Sequence, residues 1–349
     1  MSNRKILQDV VFIRLLLILL LVLYHSFAMY CEAWPMPNGI HCDKAYWWIG
    51  AFSYSFLLET FVFISGYVFG YQVREKFNGN VDLYNTVISK AKRLLIPSVV
   101  FSVIYLLCFN SSEGTSLTWQ VYNVINGEGH MWYLPMLFWC FVAIFIAEKL
   151  RIPSRYVILL AILASVFSIF TLPLRLSTTA YYFIFFYCGY LMQRNDIHFE
   201  SKIKVKYCFI FVALFLLVFV LSKIALTDKN VLSFAEQSLK NKLIVNLGAR
   251  VSTILYSALG LASVYSFVNL ILNRGDINAG KTMIQLSGYC FGVYIFQQFI
   301  LKLFMYNTSI INVFGSYWLP WVAFVVALLV SITMSWAFVK TRVGRFLVG

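Results

Sequence analysis

The chain has 349 residues, of which 61% are hydrophobic and 12% charged, and its mean hydropathy is +0.78. That composition excludes a soluble globular domain, because no core of this size absorbs so much apolar surface. The formal net charge of +14 is spread over short polar connections instead of one face, which excludes nucleic acid as a partner and points to anionic lipid.

Apolar stretches repeatedly reach the roughly 20 residues that cross a bilayer as a helix, and period-2 alternation is absent, so helices are expected and not a barrel. Ten spans are predicted, at 10–30, 51–72, 94–110, 131–148, 156–173, 178–193, 207–226, 246–272, 283–305 and 319–339. The expected fold is an all-α polytopic membrane bundle, a single integral membrane domain over residues 1–349 without internal repeats. An even number of spans puts both termini on one side. The termini and connections of that side hold 19 of the 28 Lys and Arg residues, from Arg4 and Lys5 through Lys202 to Lys340, Arg342 and Arg345; the opposite side and its flanks hold six. The positive-inside rule then makes both termini cytoplasmic.

Span 1 carries Arg14 and His25. Eleven helical residues advance about 16 Å and rotate three turns plus roughly 20°, so the two side chains project from one face at different depths. An ionisable residue at membrane depth is costly and marks a functional site by default. Arg14 alone would be explained by snorkelling to the cytoplasmic headgroups, and His25 alone by a buried hydrogen bond. Together they read as an anion holder and a base lining one cavity. The long apolar part, Arg14 and the lack of a small-x-small site predict a retained span and not a cleaved signal peptide. Cys31 and Cys42 share the next outer loop, where a disulfide is open. No cysteine or histidine cluster has metal-ligand spacing, so no metal is expected.

Span 2 contains Glu59, the single acidic residue deep in any predicted span. It has three alternatives: orienting His25, pairing with Arg250 of span 8, or bridging helices structurally. Ser65-Gly66 reads as a close-packing pair. The connection before span 3 holds Lys90, Lys92 and Arg93. At the outer end of span 4 stand His130, Trp132 and Tyr133, read either as interfacial aromatics or as a platform for a sugar acceptor, with His130 a second candidate base. Arg250 and Lys302, toward the outer ends of spans 8 and 9, either snorkel or meet an anionic acceptor or its lipid carrier.

These motifs also carry a resemblance. Arg14-x10-His25 looks like the signature of the acyltransferase-3 family of integral membrane O-acyltransferases, which modify cell-surface glycans. Phe61-Val-Phe-Ile-Ser-Gly-Tyr67 is similar to its aromatic Ser-Gly segment, Lys90-Ala-Lys-Arg-Leu-Leu-Ile-Pro97 to its basic cytoplasmic motif, and His130-Met-Trp-Tyr-Leu-Pro135 to its His-x-Trp-aromatic-Leu segment. One departure stands out: the family motif usually reads Arg-x-x-Arg, whereas this chain has Lys90-x-x-Arg93. Lysine keeps the charge but not the bidentate fork that grips phosphate.

The resemblance implies acyl transfer, most often of acetyl, from cytoplasmic acetyl-CoA or another acyl-CoA to a hydroxyl of a surface glycan or its lipid-linked precursor. Arg14, Lys90, Lys92 and Arg93 would hold the donor phosphates. His25, with an ordinary pKa near 6.5, would take the proton of the acceptor hydroxyl, or take the acyl group itself as a nucleophile; Glu59 joins them as a candidate catalytic group, and His130, Trp132, Tyr133 and Arg250 as acceptor contacts. The expected setting is the cytoplasmic (inner) membrane, with lipids and a glycan acceptor as partners and a homo-oligomer left open. Nothing in the sequence reads as an appended extracytoplasmic domain, so direct delivery, or hand-over to a separate protein, is expected. The rival from another class is a proton-coupled transporter of an anionic solute, with Arg14, His25 and Glu59 in the membrane and the Glu59 carboxylate and His25 imidazole forming its relay, although no pair of broken segments recurs in two halves; a passive scaffold would leave Arg14 and His25 without work.

Overall fold

The computed structural model describes residues 7–76, 83–109, 116–197, 204–275 and 278–349, all helical or connecting and without a strand; Arg4, Lys5 and Lys202 lie outside the described residues. The helices are α1 (Gln8–Ser26), α2 (Lys44–Tyr54), α3 (Leu57–Lys76), α4 (Leu83–Phe109), α5 (Leu117–Asn126), α6 (Tyr133–Lys149), α7 (Ser154–Phe167), α8 (Leu176–Arg194), α9 (Val205–Thr227), α10 (Lys229–Glu236), α11 (Leu239–Gly275), α12 (Lys281–Met305), α13 (Thr308–Lys340) and α14 (Arg342–Val348), with a 3-10 turn at Gly129–Trp132. The chain is a polytopic helical membrane protein. Eight stretches among the described residues are long and apolar enough to cross a bilayer. Two of the ten predicted spans fall on helices outside that group. One is α7, whose 14 residues rise only about 21 Å; the other is α8, which carries Ser177, Thr178 and Thr179 at one end and Gln193 and Arg194 at the other. Several expected loops hold short helices of their own, at α2, α5 and α10.

The chain forms two compact units. The first comprises Met1–Leu57, Ile96–Met131 and Asn278–Gly349. Here α12 packs against α1 and α13. It runs parallel to α1: Gln8 Oε1 accepts the Ala279 N–H at 2.7 Å, the Cys290 thiol faces the Arg14 carbonyl at 3.8 Å, and Gln297 meets His25 at 3.0 Å. Toward α13, Gly292 sits where a Cβ would lie 2.4 Å from Ser335 Oγ, so small residues set the approach of these two helices.

One break in α13 moors the loop after α1. Gly315 adopts φ 61, which favours glycine, and Pro320 lies inside the helix. Proline has no N–H for the carbonyl four residues back, and that carbonyl, Ser316 O, instead accepts the Tyr30 hydroxyl at 2.5 Å. Tyr46 does the same for Tyr317 O at 2.9 Å, and its own oxygen accepts the Trp321 indole N–H at 3.2 Å. No disulfide joins Cys31 and Cys42: the Cys31 thiol faces Trp47 O at 3.5 Å and Cys42 is exposed.

The second unit comprises Leu58–Leu95 and Trp132–Ile277. Its seam is α3 against α8. A Cβ on Gly66 would lie 2.0 Å from Phe186 O, one on Gly70 2.3 Å from Tyr190 O, and one on Gly189 2.1 Å from Phe63 O. The two backbones therefore touch, and Gly66 has the packing role read from its sequence. Phe69 stacks on Tyr190 at 5.6 Å alongside. Elsewhere α9 and α11 pack together, with Ser222 and Ser252 hydroxyls 2.9 Å apart. Polar ends are tied by ion pairs of Arg194 with Glu148 and of Arg74 with Asp196.

The glycine seam makes a direct prediction. Gly66→Ala forces a methyl into a carbonyl, at a cost of about 1–3 kcal/mol, and lowers the thermal midpoint of the purified protein in detergent. Gly288→Ala, at a position with nothing within 4 Å, leaves the midpoint where it was; equal midpoints for the two variants would refute the seam.

Candidate active site

His25 occupies the last turn of α1, buried, and Gln297 of α12 brings its amide Nε2 to 3.0 Å from the ring Nδ1. The backbone of Leu21, one turn earlier, is a further hydrogen-bonding neighbour of the imidazole. Trp34, from the loop moored by Tyr30, stacks on the imidazole with centroids 5.9 Å apart and planes at 14°. Tyr24 lies 5.1 Å away, itself stacked on Tyr54, and the ring of His130 stands edge-on at 6.5 Å. The base read from the sequence is thus walled by aromatic rings and tethered by an amide.

His130 is placed by its turn. Gly129 takes φ 57, and a Cβ there would lie 2.6 Å from the Tyr105 ring; Glu128 N–H donates to Ser102 Oγ at 2.9 Å. The imidazole is buried, not at an outer mouth. Its Nδ1 lies 2.5 Å from Gln298 Oε1, which also accepts the His130 backbone N–H at 3.1 Å, and its Nε2 lies 2.9 Å from Ile295 O. The Tyr294 hydroxyl donates to the His130 carbonyl at 2.5 Å. Both ring nitrogens face oxygen atoms of α12. His130 thereby links the turn to α12.

Arg14 lies three turns below His25, half-buried, beside Cys290 on the same neighbouring helix. Seven residues on α12 separate the partners of these two groups, two turns of helix. Lys302, further along α12, is enclosed by rings: its Nζ stands 4.8 Å from the Tyr105 centroid, 5.3 Å from Phe109 and 5.7 Å from Trp34. That arrangement is a cation–π box, and Trp34 is shared between it and His25.

The remaining candidates belong to the second unit. Glu59 accepts the Tyr181 hydroxyl at 2.7 Å, with Ser257 a further hydrogen-bonding partner, and Arg250 lies 4.7 Å over the Tyr181 ring. Of the alternatives for Glu59, the hydrogen bond to Tyr181 realises the helix bridge, from α3 to α8, and Arg250 lies over the Tyr181 ring; the group at His25 Nδ1 is Gln297. Lys90 turns its ammonium onto Phe141 at 4.3 Å and Phe69 at 5.3 Å, while Lys92 and Arg93 are exposed. The basic motif is therefore not three equivalent cations. Trp132 and Tyr133 open α6 half-buried, with Trp132 6.2 Å from Tyr182.

Sequence reasoning missed Gln297, Gln298 and Trp34. The glutamines were visible as an adjacent amide pair inside an apolar span, a costly feature in a bilayer. Trp34 gave no such signal, since an indole in an outer loop is ordinary. Gln297 Oε1 is buried without a hydrogen-bond partner among the described residues, a state that costs about 1–3 kcal/mol.

The link from His130 to α12 can be tested directly. Gln298→Leu strips the His130 N–H and Nδ1 of their acceptor, a loss of about 1–3 kcal/mol that lowers the thermal midpoint in detergent. An unchanged midpoint would show that these bonds carry no stability.

Against known proteins, the model of the acyltransferase-3 family, described as an acyltransferase domain, matches residues 8–340. No curated protein and no solved structure matches the chain.

Proposed function

The chain belongs to the acyltransferase-3 family, and from that premise we propose that it is a multi-pass O-acyltransferase of the cytoplasmic membrane that moves an acetyl group from cytoplasmic acetyl-CoA to a hydroxyl of a surface glycan or its lipid-linked precursor. The observation that carries this reading is the buried, amide-tethered imidazole of His25 on one helix with Arg14, both beside α12. Both termini are cytoplasmic in this reading, which puts Arg14 toward the donor and His25 toward the exterior.

The chemistry follows from those positions. Coenzyme A has its phosphates at one end and its thioester at the end of a long, narrow arm. Arg14 neutralises phosphate charge at the cytoplasmic end of the path. His25 takes the proton from the acceptor hydroxyl as that oxygen attacks the thioester carbonyl. The C–S bond then breaks, and the departing thiolate takes the proton back from the imidazolium, leaving ester and thiol. Burial serves this step, because a low-dielectric site strengthens each charge interaction and keeps water from the thioester. Trp34, lying over the imidazole, supplies a flat apolar face of the kind sugar rings stack on, and Lys302 beyond it adds positive charge.

Lys90, Lys92 and Arg93 are the second set of cations proposed for the donor phosphates, from charge and motif alone. Within that set the exposed Lys92 and Arg93 carry the role, since Lys90 is engaged by aromatic rings.

Inverted membrane vesicles supplied with radiolabelled acetyl-CoA test the proposal. His25→Ala abolishes transfer of label to the membrane's own acceptor at unchanged protein level; retained transfer would sink the mechanism. Arg14→Ala raises the donor KM by about tenfold or more, the loss of one charge-assisted contact. Lys90→Ala raises it less than Arg93→Ala does, and the reverse order would remove the assignment to the exposed cations.

A further inference from the structure

Two adjacent glutamines of α12 address the two histidines of the first unit, and they do so differently. Gln298 Oε1 is occupied twice, by the His130 backbone N–H at 3.1 Å and by Nδ1 at 2.5 Å. Gln297, wholly buried, presents Nε2 to His25 Nδ1 at 3.0 Å and leaves its Oε1 without a hydrogen-bond partner among the described residues. The fold thus fixes one amide and leaves the other unlocked on the side away from the ring.

The orientation of that amide decides what His25 can do. With the nitrogen toward the ring, Nδ1 carries the lone pair and the ring proton sits on Nε2, where it can only donate. A half-turn about the terminal torsion, which is two-fold for an amide, exchanges nitrogen and oxygen. Gln297 Oε1 then accepts an N–H from His25 Nδ1, gaining the donor it lacks, and the imidazole Nε2 carries the lone pair.

We propose that Gln297 is the positioning residue for acyl transfer: its side-chain oxygen holds the His25 proton on Nδ1 and so keeps Nε2 as the base for the acceptor hydroxyl. The inference rests on the reading of His25 as that base. In the step itself Nε2 takes the hydroxyl proton, the ring becomes an imidazolium with N–H on both nitrogens, and Oε1 keeps the Nδ1 proton throughout. Gln297 never touches the reacting atoms.

The titratable and charged groups around the ring are Tyr24 of α1, Tyr54 of α2 behind it, His130, Arg14 three turns below, and Lys302 of α12 beyond Trp34. None of them changes in the variants that test the proposal. The full chain in inverted vesicles, with radiolabelled acetyl-CoA and the membrane's own acceptor, is assayed for kcat and donor KM from about pH 5 to 9, the range over which an imidazole titrates. Gln297→Leu lowers kcat by about 100-fold or more, the scale of a general base that is lost, and leaves donor KM unchanged. Gln297→Glu, whose carboxylate can only accept from Nδ1, retains kcat within about tenfold of the parent and moves the acid limb of the pH–rate profile to higher pH, because a facing negative charge favours the imidazolium. An undiminished kcat in Gln297→Leu would overturn the proposal. So would an unmoved acid limb in Gln297→Glu, which serves as the deciding variant where Gln297→Leu does not accumulate. His25→Ala separates the two levels: full activity there removes the base itself, whereas an inactive His25→Ala beside a fully active Gln297→Leu removes only the role of Gln297.

Discussion

A bilayer offers no hydrogen bonds to a side chain, so every polar group carried through it has to be answered by another part of the protein. In the first unit the answering element is α12. It meets the start of α1 through Ala279, Arg14 through Cys290, His25 through Gln297 and His130 through Gln298, while Gly292 lets α13 close in behind. Remove the need for internal partners and none of these registers would be specified, since Leu against Leu fits at many offsets. The polar minority of an apolar helix thus fixes its alignment, and the imidazole inherits its position from that alignment.

The same constraint governs what the sequence discloses. Arg14 and His25 were legible because an ionisable residue in an apolar run is conspicuous, and their shared face followed from helix geometry alone. The spans were legible from hydropathy, with α7 and α8 the weak cases: one is short, and the other trades apolar length for tight glycine contacts with α3. Partners were another matter. Glu59 announced itself, but that Tyr181 and Arg250 surround it depends on the packing of three helices. His130 looked like an interfacial residue, and only the Gly127–Gly129 turn and the carbonyls of α12 reveal it as buried. Lys90 read as one of three cations until the rings of Phe69 and Phe141 claimed it. Sequence discloses which groups are expensive to bury, whereas identifying the group that offsets the cost requires the fold.

The two units solve helix association in different ways. In the second, α3 and α8 meet at Gly66, Gly70 and Gly189 with backbone against backbone, a dry contact in which van der Waals packing does the holding. In the first, hydroxyls, amides and ring nitrogens do more of it. The division suits the chemistry assigned to each. Under the function proposed above, the first unit presents a reactive imidazole and has to keep polar groups inside, and satisfying them rigidifies their surroundings.

The hydrogen bond between His25 and Gln297 joins residues 272 positions apart, and the Tyr30 bond to Ser316 spans 286. The helix bearing the imidazole leaves the ribosome first and its companions leave nearly last. During most of synthesis, then, His25 is in the membrane without the amide that orients it and without the moored loop that puts Trp34 over it. A half-made chain has the imidazole but not the surroundings that the fold gives it. Those surroundings arrive only with the insertion of α12 and α13, so the order of translation leaves the imidazole unpartnered until the end.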